Sequence, residues 1–432
     1  MRKIFVFLLS VLITIPTFGA TLINDTETEL LLSELVAPLG VSADIGAGRL
    51  NVHIIDDDDF NAFVRGGEDV YVYTGLLKQI KNPDALLAVI AHELGHTIGG
   101  HMAQLSARSD AEMKRTMLIQ ALGIGLMVAG GNPSLGAGVL AGSSGIATQS
   151  ILAFSRDEER IADNLGIDLM IRAGQNPNGF ITVFEQMNDL TGALENSINP
   201  NRINHPLTRE RRKNAREYIA EHAPDYRTPD TITRDARYEL VRAKLVGYLD
   251  DAKNVLQKYP YSDKSDAALY VRAIANMRGG NLDGARMGTQ TLISRNPDNG
   301  YFYELLGDIE YQFGHYDDSV HAYEKSLALV KDAPQIETAL ALVLSERNKP
   351  GDITRAIELS KRAILAEPTP LAYWVLARCY GDMDAGRHAW AMAEYHALRG
   401  DDDTATEYAR RARKYLKKTD PEYLKAGDLL KT

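Results

Sequence analysis

Apolar and polar positions follow two different rhythms along this chain. From Ala85 to Met102 apolar side chains recur at helical spacing, with Asn82 as N-cap and Pro83 at the first helical position, so a helix is predicted there. Val70 to Tyr73 alternates as a strand does and can form a sheet edge, and Val52 to Ile55 is a second strand-like run. The four aspartates that follow, Asp56 to Asp59, lack the spacing of a calcium loop and read as solvated turn residues. From about Asp235 onward the rhythm changes, and a Gly recurs five residues before an Ala or Ser: Gly247/Ala252, Gly280/Ala285, Gly314/Ser319, Gly351/Ala356 and Gly400/Ala405.

The successive intervals are 33, 34, 37 and 49 residues, and the first three follow the tetratricopeptide period. A Gly at the turn lets one helix end on a left-handed residue, and the small residue after it lets the next helix pack close, so each unit predicts a helical hairpin. The long last interval predicts an extra helix over Leu371 to Asp384. Stacked hairpins leave a groove that is normally a docking surface.

Two apolar stretches raise the question of a membrane. Met1-Arg2-Lys3, the run Ile4 to Ile15, and then Pro16 to Ala20 form a secretory leader, with cleavage expected after Gly19 or Ala20. The run is shorter than the roughly 20 residues of a spanning helix. Thr116 to Ser155 carries no charge, yet Gly130-Gly131-Asn132-Pro133-Ser134 splits it into two short arms, neither of which spans comfortably. Packing over neighbouring helices accounts for it, with room left for a peripheral membrane contact.

At 432 residues the chain exceeds what one core usually serves. The expected division is a leader (1–20), a first domain (21–228) and a repeat domain (235–432), with Pro224 to Pro229 as linker. A net charge of -10 argues against nucleic acid as a partner, because gripping phosphates needs clustered Lys and Arg. The single cysteine, Cys379, excludes a disulfide framework and reads as a buried packing residue.

The chemistry lies in His92-Glu93-Leu94-Gly95-His96. On a helix, His92 and His96 are one turn apart on one face, so both imidazoles reach one zinc while Glu93 serves as general base. A hydrolytic site needs a third protein ligand. His101 is one residue short of the metzincin position and reads as a packing residue or one that supports the ligating side chains. On a second helix, Ser155 to Asp163, Glu159 and Asp163 stack one turn apart; Glu159 is expected to ligate zinc and Asp163 to orient a ligating histidine.

These two motifs, His92 to His96 and Ser155-Arg156…Glu159…Ala162-Asp163, resemble the peptidase group that includes HtpX and the CaaX prenyl proteases. Asn61-Ala62-Phe63, Gly66-Gly67 with Val70 to Gly75, and His205-Pro206-Leu207 with Arg209 match it as well. The length and the repeats are similar to its exported, soluble branch. Ile161 departs from a position often acidic there, and Gly99 and Gly100 replace bulkier residues, but neither change removes a ligand.

The resemblance implies an α+β, mainly α protein: a helical zincin-type metalloprotease domain with a small β-sheet, followed by an all-α tetratricopeptide solenoid. It implies a periplasmic zinc endopeptidase with a chaperone role that degrades misfolded or assembling outer-membrane proteins, with the repeats meeting the β-barrel assembly machinery. The matched aspartate, Asp163, is implied to have a catalytic support role, sometimes as proton donor. His205, arriving from a third element, either stabilises the oxyanion or occupies the open zinc position. The competing expectation is a tetratricopeptide chaperone or assembly adaptor with a silent or self-inhibited zinc site.

Overall fold

The computed structural model describes residues 16–17, 20–45, 50–100, 156–193, 209–226, 231–381 and 383–430. Asp25 caps helix α1 (Thr26–Ala43), its carboxylate accepting from Thr28 N at 2.8 Å. Strands β1 (Pro16–Thr17) and β2 (Ala20–Ile23) precede it, and β3 (Asn51–Ile55), β4 (Ala62–Arg65) and β5 (Asp69–Tyr73) follow. The sheet order is β1-β2-β3-β5-β4, with β3 and β5 parallel and the other pairs antiparallel. Strand β1 lies within the expected leader (1–20).

Strand Val70 to Tyr73 is therefore not an edge. It pairs with β3 on one side and with β4 on the other, and β4 is the edge. The alternation in β5 was legible, but an edge is decided by pairing with β3, 18 residues upstream (Asn51 with Asp69), which no local pattern encodes. Ile54, Val64, Val70 and Val72 turn inward. On the other face His53, Tyr71 and Phe63 stack ring on ring at 4.8 and 4.7 Å.

Helix α2 (Thr74–Gln79) leads to α3 (Pro83–Ile98), whose N-cap Asn82 accepts from Asp84 N at 2.7 Å. The predicted helix ran to Met102; α3 stops at Gly99, and Gly100 takes φ +68. A left-handed residue is cheap for glycine, so the Gly-Gly pair ends the helix early. Helices α4 (Arg156–Arg172), α5 (Gly179–Ala193) and α6 (Arg209–His222) follow among the described residues of this half. Its core joins Leu32, Leu35 and Leu39 of α1 to Val70 and Val72, Leu86, Leu87 and Ile90 of α3, and Ile167 and Met170 of α4.

The second half is helical throughout its described residues. It consists of the hairpins α7 (Ile232–Leu249) with α8 (Ala252–Lys258), α9 (Asp266–Arg278) with α10 (Leu282–Arg295), α11 (Gly300–Gln312) with α12 (Tyr316–Leu329), and α13 (Pro334–Arg347) with α14 (Asp352–Ala366). The extra helix α15 (Pro370–Tyr380) precedes the hairpin α16 (Ala385–Leu398) with α17 (Asp402–Tyr415), and α18 (Pro421–Asp428) closes the row. The chain is α+β and mainly α, a sheet-bearing first half followed by a helical solenoid. Cys379 is buried on α15.

The repeat glycines at 280, 314, 351 and 400 take positive φ at their turns. Gly247 does not. It sits inside α7, where a Cβ would lie 3.0 Å from Ile274 Cβ, so it serves close packing of α9 rather than a turn. Helix α7 is special in another way: Tyr238, Val241 and Leu245 belong to the first core, while Ala243, Val246 and Tyr248 belong to the next. The two halves share this helix. Among the described residues, no helix is long and apolar enough to cross a membrane; the uncharged stretch Thr116 to Ser155 lies outside them.

Candidate metal centre

Helices α3 and α4 cross with almost no side chain between them. A Cβ on Gly95 would come within 2.4 Å of the Ala162 carbonyl oxygen, and one on Gly166 within 2.9 Å of Ala91 backbone atoms. Two glycines facing two alanines thus bring the backbones close enough for short side chains on both helices to meet.

What meets is a triangle of donor atoms. His92 Nε2 and His96 Nε2 are 3.1 Å apart, Glu159 Oε2 is 3.5 Å from the first, and Glu159 Oε1 is 3.4 Å from the second. Bonds of about 2.0–2.1 Å at tetrahedral angles put neighbouring ligand atoms roughly 3.3 Å apart, so this triangle has the size of one face of a zinc tetrahedron. All three side chains are buried. Among the described residues, they form the one group of His, Cys, Asp or Glu spaced to hold a metal ion. Glu93, on the same helix as the two histidines, is also buried.

Behind the triangle lies a second layer. His92 Nδ1 is 2.9 Å from Asp163 Oδ1. Burial opposes ionisation of Asp163, but hydrogen bonds from Arg211 and His92 outweigh it and hold the carboxyl below its ordinary range. An ionised carboxylate can only accept, so it keeps a proton on His92 Nδ1, and once the ring gives up its other proton the Nε2 lone pair faces the centre. Burial also opposes charge on His92, yet Asp163 and Glu159 push the ring up to about 9 in the metal-free protein.

Arg211, on α6, is the functional residue that sequence reasoning missed. Its Nε and Nη2 donate to the two oxygens of Asp163 at 2.8 Å each, and its Nη1 is 2.6 Å from Glu159 Oε2. Attention fell on Arg209, which is exposed at the start of α6. The available signal was spacing: Arg211, Ala215 and Ile219 recur every four residues and are the buried positions of an otherwise charged helix. His205, His101 and Ser155 lie outside the described residues.

Two helices that bring a His-Glu-x-x-His pair and a glutamate into one donor triangle define a metal-dependent peptidase. The chain belongs to peptidase family M48, whose family model matches residues 25–219. It is 26% identical over 301 residues to the β-barrel assembly-enhancing protease of Escherichia coli (strain K12), covering 68% of this chain and 60% of that protein. It is 30% identical over 190 residues to metalloprotease YcaL of the same strain, covering 44% of this chain and 69% of the relative. The mitochondrial metalloendopeptidase OMA1 of Schizosaccharomyces pombe is 30% identical over 191 residues, 44% of this chain and 52% of that one. Among solved structures, yeast Tom70 is 13% identical, covering 80% of this chain and 88% of that one at a TM-score of 0.30, too loose a likeness to carry weight.

Proposed function

We propose that this protein is an exported, zinc-dependent endopeptidase of the periplasm that degrades misfolded or stalled outer-membrane proteins and aids their assembly. Its repeat half is assigned to contact with the β-barrel assembly machinery. The donor triangle of His92, His96 and Glu159 is the observation that carries the enzymatic part. The partners and the compartment are supported by the likeness to the β-barrel assembly-enhancing protease, 60% of whose length is matched. The same reading divides the chain into a leader (1–20), a peptidase domain (21–228) and a repeat domain (235–432).

A zinc held by His92, His96 and Glu159 would supply Lewis acidity and would bring the pKa of a water to about 7. Glu93 takes the proton that this water loses as it attacks the peptide carbonyl, and delivers it to the leaving amine. Asp163 holds His92 in the ligating tautomer, and Arg211 fixes both carboxylates at the distances given above. His205, outside the described residues, is assigned one of two roles: a rise in proteolysis on its replacement eliminates an oxyanion role, and a fall eliminates a blocking role.

Edge strand β4 lies against α3. An extended chain that adds to β4 by backbone hydrogen bonds is brought beside the helix that carries both histidines, which suits unfolded or strand-rich clients.

The test is zinc content and degradation of an unfolded outer-membrane protein by the wild type and by Glu93→Gln. The variant is expected to retain zinc and to lose degradation by about 10²-fold or more, the usual loss with a general base. Equal loss of substrate with both proteins overturns the enzymatic reading.

A further inference from the structure

The first turn of α1 ends in the solenoid rather than in solvent. It meets the face made by the first helices of four successive hairpins, α7, α9, α11 and α13, and the residue that follows α14. Lys244 of α7, 3% exposed, lies at the middle. Its Nζ is 2.5 Å from Asp25, 3.2 Å from Glu304 of α11 and 3.4 Å from Glu27, and it sits 5.6 Å from the centre of the Tyr301 ring.

The titratable groups bonded around this ammonium are acidic or phenolic. Tyr270 of α9 donates to Glu27 at 2.9 Å. Tyr248 of α7 and Tyr323 of α12 donate to Asp308 of α11 at 2.8 and 2.5 Å. Thr26 bonds Gln335 of α13, whose Nε2 donates to Glu367 at 2.5 Å, and Asn24 bonds the same Glu367. Glu29 accepts from the Asp25 backbone at 3.1 Å. A second cation, Arg237, pairs with Glu34 at the rim and also feels Tyr301 and Glu27. One buried ammonium therefore touches three carboxylates, Asp25, Glu27 and Glu304, and three more, Glu29, Asp308 and Glu367, belong to the same bonded cluster.

Six buried or half-buried carboxylates against one cation cannot all be ionised, because each ionised pair repels across a medium of low dielectric. We propose that this junction is a proton-operated latch between the peptidase half and the solenoid: protons shared among its carboxylates hold the first turn of α1 at mildly acidic pH, and their loss as pH rises frees it. Leu31, Leu35 and Leu39 of the same helix remain in the peptidase core, so the separation is confined to the turn and the face it meets.

The charges agree with the geometry. Burial, with Glu367 and Asp25 close by, pushes Glu29 up to about 9. Burial, partly offset by Lys244, pushes Glu304 up to about 8. Burial would discharge Lys244, but Asp25, Glu304 and Glu27 keep it charged well above its ordinary range. A closed junction that binds protons which the open one releases is favoured at low pH, and that advantage disappears as pH rises through 8 to 9.

The experiment is hydrogen exchange of the full-length protein between pH 6 and pH 8, corrected for the intrinsic pH dependence of exchange. It follows residues 26–31, with the distant helix 370–380 as control. Opening at 26–31 is expected to rise about tenfold per pH unit for each proton released, and the control is expected to stay flat. In the double variant Glu29→Gln, Glu304→Gln the slope is expected to disappear. A flat wild-type response, a parallel loss in the control, or an unchanged slope in a folded double variant overturns the latch. If the double variant does not fold, the wild-type slope and its control decide alone.

Discussion

Asp163 Oδ1 lies 2.9 Å from His92 Nδ1 and also receives Nη2 of Arg211 at 2.8 Å, so one oxygen sets both the tautomer of a ligand and the position of a buried cation. The second oxygen takes Arg211 Nε at 2.8 Å. An asparagine cannot replace this arrangement. If its carbonyl occupies the Oδ1 place, its amide faces the Arg211 Nε–H donor to donor. If it flips, its amide faces the His92 Nδ1–H. Asp163→Asn is therefore expected to weaken metal binding by about 10–100-fold while leaving the helices in place. Competition with a chromophoric zinc chelator measures this, and an unchanged affinity shows that Asp163 does not orient His92.

Arg211 carries a different prediction, about stability with and without metal. In the metal-free protein it stands between two buried carboxylates, Glu159 and Asp163. Arg211→Met keeps the apolar stem but leaves these acids without their guanidinium, a change that costs about 3–5 kcal/mol when a buried pair is broken. Zinc is expected to recover a large part of the loss, since it neutralises Glu159 directly. Urea unfolding of wild type and variant, each with chelator and with zinc, checks this. Equal stability of the two in chelator would show that the ion pair contributes nothing.

Much of this centre was legible because α3 is locally consistent: Asn82 caps it, Pro83 starts it, and its apolar spacing holds over four turns. The repeat turns at Gly280, Gly314, Gly351 and Gly400 were legible for the same reason, each of these four glycines acting within its own hairpin. What stayed hidden depends on distant pairing. Which arginine of α6 faces inward is decided by α4, and which strand is the edge is decided by β3. The polar run Asn24 to Glu29 carries no mark of burial in its own residues, yet Lys244, more than 200 residues later, meets it. Local polarity predicts exposure only until a distant element supplies the partner.

The glycine inside the motif makes a further prediction, separable from zinc chemistry. A Cβ at residue 95 would stand 2.4 Å from the Ala162 carbonyl oxygen, which is backbone and cannot turn aside. Gly95→Ala must push α4 away from α3, at a cost of about 1–3 kcal/mol for overpacking. Because His92 and His96 ride on α3 and Glu159 on α4, the shift opens the donor triangle, and zinc affinity is expected to fall together with stability. Gly427→Ala is the contrast. Its Cβ would meet nothing nearer than 3.5 Å within helix α18, and alanine there is expected to gain up to about 1 kcal/mol. Thermal unfolding and zinc titration of both variants test the pair, and an undisturbed Gly95→Ala protein means that the helices do not need their close approach.

The pH dependence of global stability follows from groups pulling in opposite directions. Asp163 is held low against its burial by Arg211 and His92, and Glu310 is held low against its burial by Arg286 and His315. Their contribution is present above the ordinary carboxylate range and is lost as pH falls through their lowered values. Glu29, raised to about 9, and Glu304, raised to about 8, act in the opposite sense: their contribution is complete below the ordinary carboxylate range and is lost as pH rises through 8 and 9. The two trends cross on the acid side of neutrality, so the Tm of the chelator-treated protein is expected to be greatest near about pH 5–6 and to decline by several degrees toward pH 9. Glu304→Gln, whose amide has no proton to lose, is expected to flatten the alkaline side and leave the acid side unchanged. A Tm that instead rises from pH 6 to pH 9 would mean that the carboxylates around Lys244 are ionised throughout and that their burial is tolerated by other means.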